Sequence, residues 1–324
     1  MRKSSFFSLA LLLAIAASAW AAPGEAFTDP KEAGKDFEIQ GEYLGGEGDD
    51  RRGAQIIALG DGTFEGIGYS GGLPGDGWKR GDEVYRSKGE WKGDGVEFKT
   101  DEYAAVAKDG VLTIKDTDGD VVLEMQKVDR SKSNKSLGAQ PPQGAIVLFD
   151  GTSADHFTNG KLVEEKYLAA NNPESKQKFG DHTLHIEFRT PFMPKARGQG
   201  RGNSGVYMQS RYELQVLDSF GLEGENNECG GIYQIAKPIV NMCLPPLTWQ
   251  TYDIEFTAAK YDGDKKVENA RATIKHNGVT IHDNLELPNG TPGRAKEGPE
   301  PAPNFLQDHG NPVVFRNIWV VEKK

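Results

Sequence analysis

Acidic, basic and donor side chains occupy every second position through several short segments of this chain. Leu184, Ile186 and Phe188 alternate with His185, Glu187 and Arg189. Val206 and Met208 alternate with Tyr207 and Gln209, while Tyr212, Leu214 and Val216 alternate with Glu213 and Gln215. A period of two is that of a β-strand, so the apolar set faces a core and the polar set the opposite side. If the strands are neighbours, Glu187, Arg189, Tyr207, Glu213 and Gln215 line one face. Such a face could move a proton and bind hydroxyls, although each strand taken alone reads as ordinary solvent surface. Strict alternation sends Asp218 to the core; a one-residue bulge would return it to the face of Glu213. Glu213, Gln215 and Asp218 then have the spacing used by some paired-carboxylate hydrolases, but Gln in the middle position breaks that pattern, so such a hydrolase is not the favoured reading.

Two loops read as walls for this face. The segment 191–204 (PFMPKARGQGRGNS) carries Lys195, Arg197 and Arg201 among glycines, followed by Asn203. It could bring charge and backbone amides over a pocket, or be a basic surface loop. The other wall, 306–310 (LQDHG), holds Gln307 and His309 before a final apolar strand. His309 could act as base, ligand or turn residue.

The elements that must carry these groups are strands. Four Asp-Gly turns punctuate β-prone runs between residues 37 and 128, the signature of consecutive hairpins in a meander or small barrel. Asp116, Asp118 and Asp120 begin like a calcium loop but lack its closing Glu, and read as a hairpin turn. Residues 129–144 (DRSKSNKSLGAQPPQG) are polar and Pro-rich, a linker. From residue 145 longer alternating strands suggest a two-sheet sandwich. The expected organisation is a small Gly-rich β domain over 28–128, a linker over 129–144 and a β-sandwich over 145–324, all-β throughout.

Composition agrees. There are 324 residues, 40 of them Gly, and a formal net charge of -10, which argues against a general nucleic-acid binder. Arg2 and Lys3, an apolar run and Ala19-Trp20-Ala21 form a signal peptide over residues 1–21, so export to the periplasm or medium is expected. No later run is apolar enough to be a membrane helix. In an oxidising compartment Cys229 and Cys243 would pair as a disulfide, the alternative being two separate buried thiols.

Eight ordered blocks carry a family resemblance. They are 148–152 (LFDGT), 187–189 (EFR), 203–207 (NSGVY), 212–219 (YELQVLDS), 231–233 (GIY), 277–279 (NGV), 306–310 (LQDHG) and 315–319 (FRNIW). Over about residues 145–322 the chain resembles the 3-keto-disaccharide hydrolase domain family. The resemblance implies a concanavalin A-like jelly-roll sandwich acting on 3-keto-glycosides. A ketone at C3 acidifies the C2 hydrogen; a base removes it, the C1 oxygen substituent leaves by β-elimination, and water adds to the enone. Residue roles are chemical inference. Glu187, Glu213, Asp218 or His309 would transfer protons, and Arg189 and Tyr207 would stabilise the enolate. Arg201, Asn203, Gln215, Tyr233 and Gln307 would hold the sugar, with Trp249 stacking on it or buried in the core. A divalent ion is compatible with this residue set, but no ligand spacing demands one. A non-catalytic lectin-like protein and an ordinary glycosidase are the alternative readings, and the oligomeric state stays open.

Overall fold

The computed structural model describes residues 25–323; the signal peptide expected over residues 1–21 lies outside them. Eight antiparallel strands close a barrel: Gly41–Gly45, Arg52–Gly60, Thr63–Ser70, Val84–Lys92, Gly95–Lys99, Ala104–Lys108, Val111–Lys115 and Val121–Val128. Successive strands are joined as hairpins. Asp61 and Asp109 take positive φ at their turns (54° and 50°), as the Asp-Gly signals require. Asp116 serves its own turn, its Oδ1 accepting from the backbone N–H of Asp118 and Asp120. Tyr43, Ile56, Phe64, Val96, Phe98 and Leu112 fill the barrel, and the short helix Gly34–Ile39 buries Ile39 against it.

The C-terminal half is a sandwich of two antiparallel sheets. The larger orders Leu162–Val163, Tyr167–Ala169, Val314–Glu322, His182–Arg189, Gln250–Thr257, Ala270–His276 and Val279–Leu287, with Ile146–Phe149 also paired to Val314–Glu322. The smaller orders Phe157–Thr158, Glu174–Phe179, Ala302–Leu306, Ser204–Met208 and Tyr212–Val216. Between them lie Leu184, Ile186, Phe188, Ile254 and Phe256 from one sheet, and Val206, Met208, Leu214 and Val216 from the other. The alternation read from the sequence is therefore correct strand by strand. Ile57 and Ile67 of the barrel join this core, so barrel and sandwich pack directly on each other.

The expected linker is an ordered strap. Arg130 grips the buried Glu42 of the barrel through Nε–Oε2 at 2.7 Å and donates to the Pro74 carbonyl. Further along, Asn134 reaches Thr251 and Asn277, Ser136 donates to Asp253, and the Gly138 N–H donates to Glu187 Oε1 at 2.6 Å. The strap thus lies across the outer face of the larger sheet. No helix among the described residues is long and apolar enough to cross a membrane.

Candidate active site

The residues grouped by alternation divide between two sheets. Glu187 and Arg189 lie on the outer face of the larger sheet; Tyr207, Glu213 and Gln215 lie on the outer face of the smaller. The core separates them, so the single polar face expected from the sequence does not exist.

The face of the smaller sheet has the properties of a site. Tyr207 stands directly opposite Glu213 and Gly205 directly opposite Gln215 in the ladder of Ser204–Met208 with Tyr212–Val216. Tyr207 donates its hydroxyl to Glu213 Oε2 at 2.7 Å, and Gln307 Nε2 donates to the Tyr207 oxygen at 3.2 Å. A Cβ on Gly205 would come within 2.7 Å of Glu213 Oε1 and 3.0 Å of the Tyr207 ring, so glycine here makes room for the carboxylate. Asn203, two residues before Gly205, donates to the Gln199 carbonyl at 2.7 Å; Gln215 Nε2 donates to Gln199 Oε1 at 2.9 Å. Tyr233 is tied alongside, its N–H donating to the Glu213 carbonyl at 3.1 Å. Arg294 forms the rim, its guanidinium 3.8 Å over Phe305, whose ring meets Tyr207 edge-on at 5.4 Å.

Two features set this face apart. Glu213 is only 3% exposed, and burial pushes its carboxyl up to about 7 against the opposing pull of the Tyr207 hydrogen bond. Around it, Asn203 Oδ1, Gln215 Oε1 and Gln307 Oε1 are buried with no hydrogen-bond partner in the protein. An orphaned buried acceptor costs about 1–3 kcal/mol. Each of the three acceptors lacks a hydrogen-bond donor.

The other expected site residues have different work. Glu187 is buried beneath the strap, accepting from Arg316 Nε (2.6 Å), Asn317 Nδ2 (2.9 Å) and Gly138 N–H. Burial opposes its charge, but these bonds and His185 overcome it and hold the carboxyl down at about 2. Such a group is a structural anion, not a base. Arg189 pairs with Glu164 at 2.9 Å and lies over Tyr167 and Trp249. Trp249 is neither a core residue nor at the Glu213 face. It is half-buried, packed by Tyr167 and covered by Arg316 at 4.0 Å.

The expected bulge is absent as well. The strand ends at Val216, and Asp218 accepts from Arg201 Nε at 2.7 Å with both side chains buried. Arg201 also lies 3.5 Å from the Ala58 carbonyl of the barrel, which makes this pair a strut between the two halves. His309 is half-buried two residues beyond Gln307. Cys229 and Cys243 are not joined: both are free, buried thiols, Cys229 in contact with Tyr252 at 3.2 Å. Among the described residues no group of three or more His, Cys, Asp or Glu is placed to hold a metal ion.

Gln199, Phe305 and Arg294 were missed by the sequence reading. Gln199 sits in the Gly-rich loop singled out as a wall, but only its bonds to Asn203 and Gln215 distinguish it from its neighbours. Arg294 comes from a segment without any periodic signal.

The family described as the 3-keto-alpha-glucoside-1,2-lyase-like domain matches residues 144–321. The chain belongs to this family. Membership makes it a carbohydrate-active protein, with the matched region covering the whole sandwich. Among solved structures, a candidate glycosyl hydrolase from Parabacteroides distasonis is 31% identical with a TM-score of 0.52; the alignment covers 85% of that chain and 56% of this one. A second candidate glycosyl hydrolase from the same organism is 16% identical over 98% of its chain and 61% of this one, with a TM-score of 0.43. No curated protein matches.

Proposed function

We propose that the sandwich cleaves the glycosidic bond of 3-keto-glycosides, with Glu213 as the proton-transfer group. The observation that carries this reading is the buried Glu213 carboxyl, raised to about 7, among three unpartnered acceptors. A carboxyl at that value can take and return a proton near neutrality. No expected second carboxylate stands with it, because Asp218 is paired to Arg201 and Glu187 lies beyond the core. This disfavours a paired-carboxylate glycosidase and favours chemistry needing one acid–base group.

Ionised Glu213 takes the C2 proton. The C–H electron pair moves into a C2–C3 double bond and the negative charge to the C3 oxygen. Once Glu213 is protonated, the single Tyr207 hydroxyl hydrogen turns from Glu213 Oε2 to donate to that oxygen. As the C3 carbonyl re-forms, C1–C2 becomes a double bond and the C1–O bond breaks. The departing oxygen receives the proton held by Glu213. Water then adds across the enone, hydroxyl to C1 and proton to C2, so the net reaction is hydrolysis. Asn203, Gln215 and Gln307 accept from the sugar's remaining hydroxyls.

Incubation with a 3-keto-glucoside and with its unoxidised parent tests the proposal. Release of the aglycone from the keto form alone is expected. Binding without release would make the protein a lectin, and cleavage of the parent would make it a glycosidase; either result overturns the reading. The leader expected from the sequence would place this activity outside the cytoplasm.

A further inference from the structure

An open cleft of about 630 Å³ lies away from the Glu213 face, where the barrel, the helix Gly34–Ile39 and the loop carrying Lys195 meet. Its size is within the range of small-molecule sites. The cleft is built around Trp91. Asp36 accepts from the indole Nε1 at 2.7 Å with Oδ1 and from the Gly62 N–H at 3.0 Å with Oδ2, fixing the ring and satisfying its one donor. Phe64 supports the indole edge-on from the barrel interior at 6.1 Å. A Cβ on Gly62 would lie 3.0 Å from the indole, and a Cβ on Gly60 would lie 2.7 Å from Lys195. The two glycines of one turn therefore admit Trp91 and Lys195, both of which line the cleft. Asp61 between them holds Lys195 at 2.6 Å.

With its N–H used internally, the indole has only its face to offer a ligand. Lys35 lies over the ring, 4.4 Å from its centre; its side chain is exposed, and a ligand stacking on that face would displace it into solvent. Four carboxylates (Glu25, Asp36, Asp61 and Glu90) against two lysines disfavour an anionic ligand, and the charged rim disfavours a wholly apolar one. A neutral pyranose has an apolar C–H face for the indole and hydroxyls for Asp61, Thr63, Glu90 and Lys35. We infer that this cleft is a second carbohydrate-binding site, in which Trp91 is a stacking platform for a neutral pyranose. The loop from Pro194 to Asn203 links the cleft wall at Lys195 to the Glu213 face at Gln199 and Asn203. A glycan held at the cleft would thus be kept close to the loop that borders the reaction site.

Cellotriose and maltotriose, both unoxidised, are the probes, titrated into the full chain, Trp91→Ala, Trp91→Phe and Glu213→Gln. Heat of binding is read together with the Trp91 indole N–H resonance, which Trp91→Phe identifies. Millimolar binding of at least one probe is expected, with the Trp91 resonance shifting in the wild-type protein. Loss of the aromatic face should weaken binding roughly tenfold or more, while Trp91→Phe keeps part of it. Glu213→Gln should leave this binding unchanged, which separates the cleft from the reaction site. Turnover of a small keto-glucoside should be unaffected by either Trp91 change. No resonance shift with either sugar overturns the inference, even if Trp91→Ala fails to fold. So does equal affinity in folded Trp91→Ala and wild type, or binding abolished by Glu213→Gln.

Discussion

Tyr207 and Glu213 face each other across one rung of the smaller sheet, hydroxyl to Oε2 at 2.7 Å. The pairing places a donor beside a carboxyl that burial makes reluctant to ionise. Its consequences for rate and stability run in opposite directions.

Glu213 must be ionised to act as the base, so turnover should rise with pH and level off above about 7. Its folded value lies above the ordinary 4.5, so the fold prefers the protonated form. The native state is therefore penalised progressively as pH rises from about 4.5 through 7, by about 3 kcal/mol at the upper limit. Glu213→Gln should match the wild type in stability at pH 4, exceed it at pH 8 and be inactive at both. Denaturant melts at the two pH values check this; a variant less stable at pH 8 would contradict it.

Tyr207→Phe removes the donor that serves Glu213 before proton transfer and the enolate oxygen after it. Turnover should fall roughly a hundred- to thousandfold, the usual cost of one oxyanion donor. The hydrogen bond also lowers the Glu213 value, so the midpoint of the rate profile should move to higher pH. A pH–rate series on this variant reads both effects.

On the other side of the core, Arg189→Ala should keep turnover within about threefold of wild type, since the strand that carries it belongs to the larger sheet and its guanidinium pairs with Glu164, away from Glu213. Glu187→Gln should leave the chemistry intact and cost stability, roughly 1–3 kcal/mol for the charge-assisted hydrogen bonds weakened, since Arg316 is partly exposed. The Glu187 value is depressed to about 2, so its contribution is complete above about 4.5 and disappears as pH falls towards 2. Acid melts and steady-state assays of both variants test the assignment.

We propose that the leader is removed on export, so that intact mass spectrometry of the protein expressed with its leader should show a chain beginning near Ala22; an uncleaved chain would contradict this. Alkylation without reductant should leave Cys229 and Cys243 unmodified in the native state, where they are 0% and 1% exposed, and should label both after unfolding. A mass lower by two hydrogens, with no labelling, would mean a disulfide.

Alternation along each strand showed which side chains leave the core, and His182–Arg189, Ser204–Met208 and Tyr212–Val216 all follow it. Period two carries no information about which sheet a strand joins. Glu187 and Glu213 therefore looked like neighbours, although strands from different sheets carry them. Tyr207, Glu213 and Gln215 could be grouped because a two-strand hairpin brings them together locally. Asn203 and Gln307 flank the same hairpin within short loops. Asp218 was misread because its partner, Arg201, is an ion-pair choice that no periodicity records. The strap over Glu187 was read as a tether because its bonds run from backbone and small polar groups to distant strands.

The measurement that bears most directly on Glu213 is hydrogen exchange at C2. In heavy water, a 3-keto-glucoside incubated with wild-type protein should yield a product carrying deuterium at C2, above the rate without protein. Glu213→Gln, shown to be folded, should give neither deuterium incorporation above background nor aglycone release, a loss of roughly a hundred- to ten-thousandfold. Incorporation and release at wild-type rates in Glu213→Gln would contradict the account and place the proton-transfer group elsewhere.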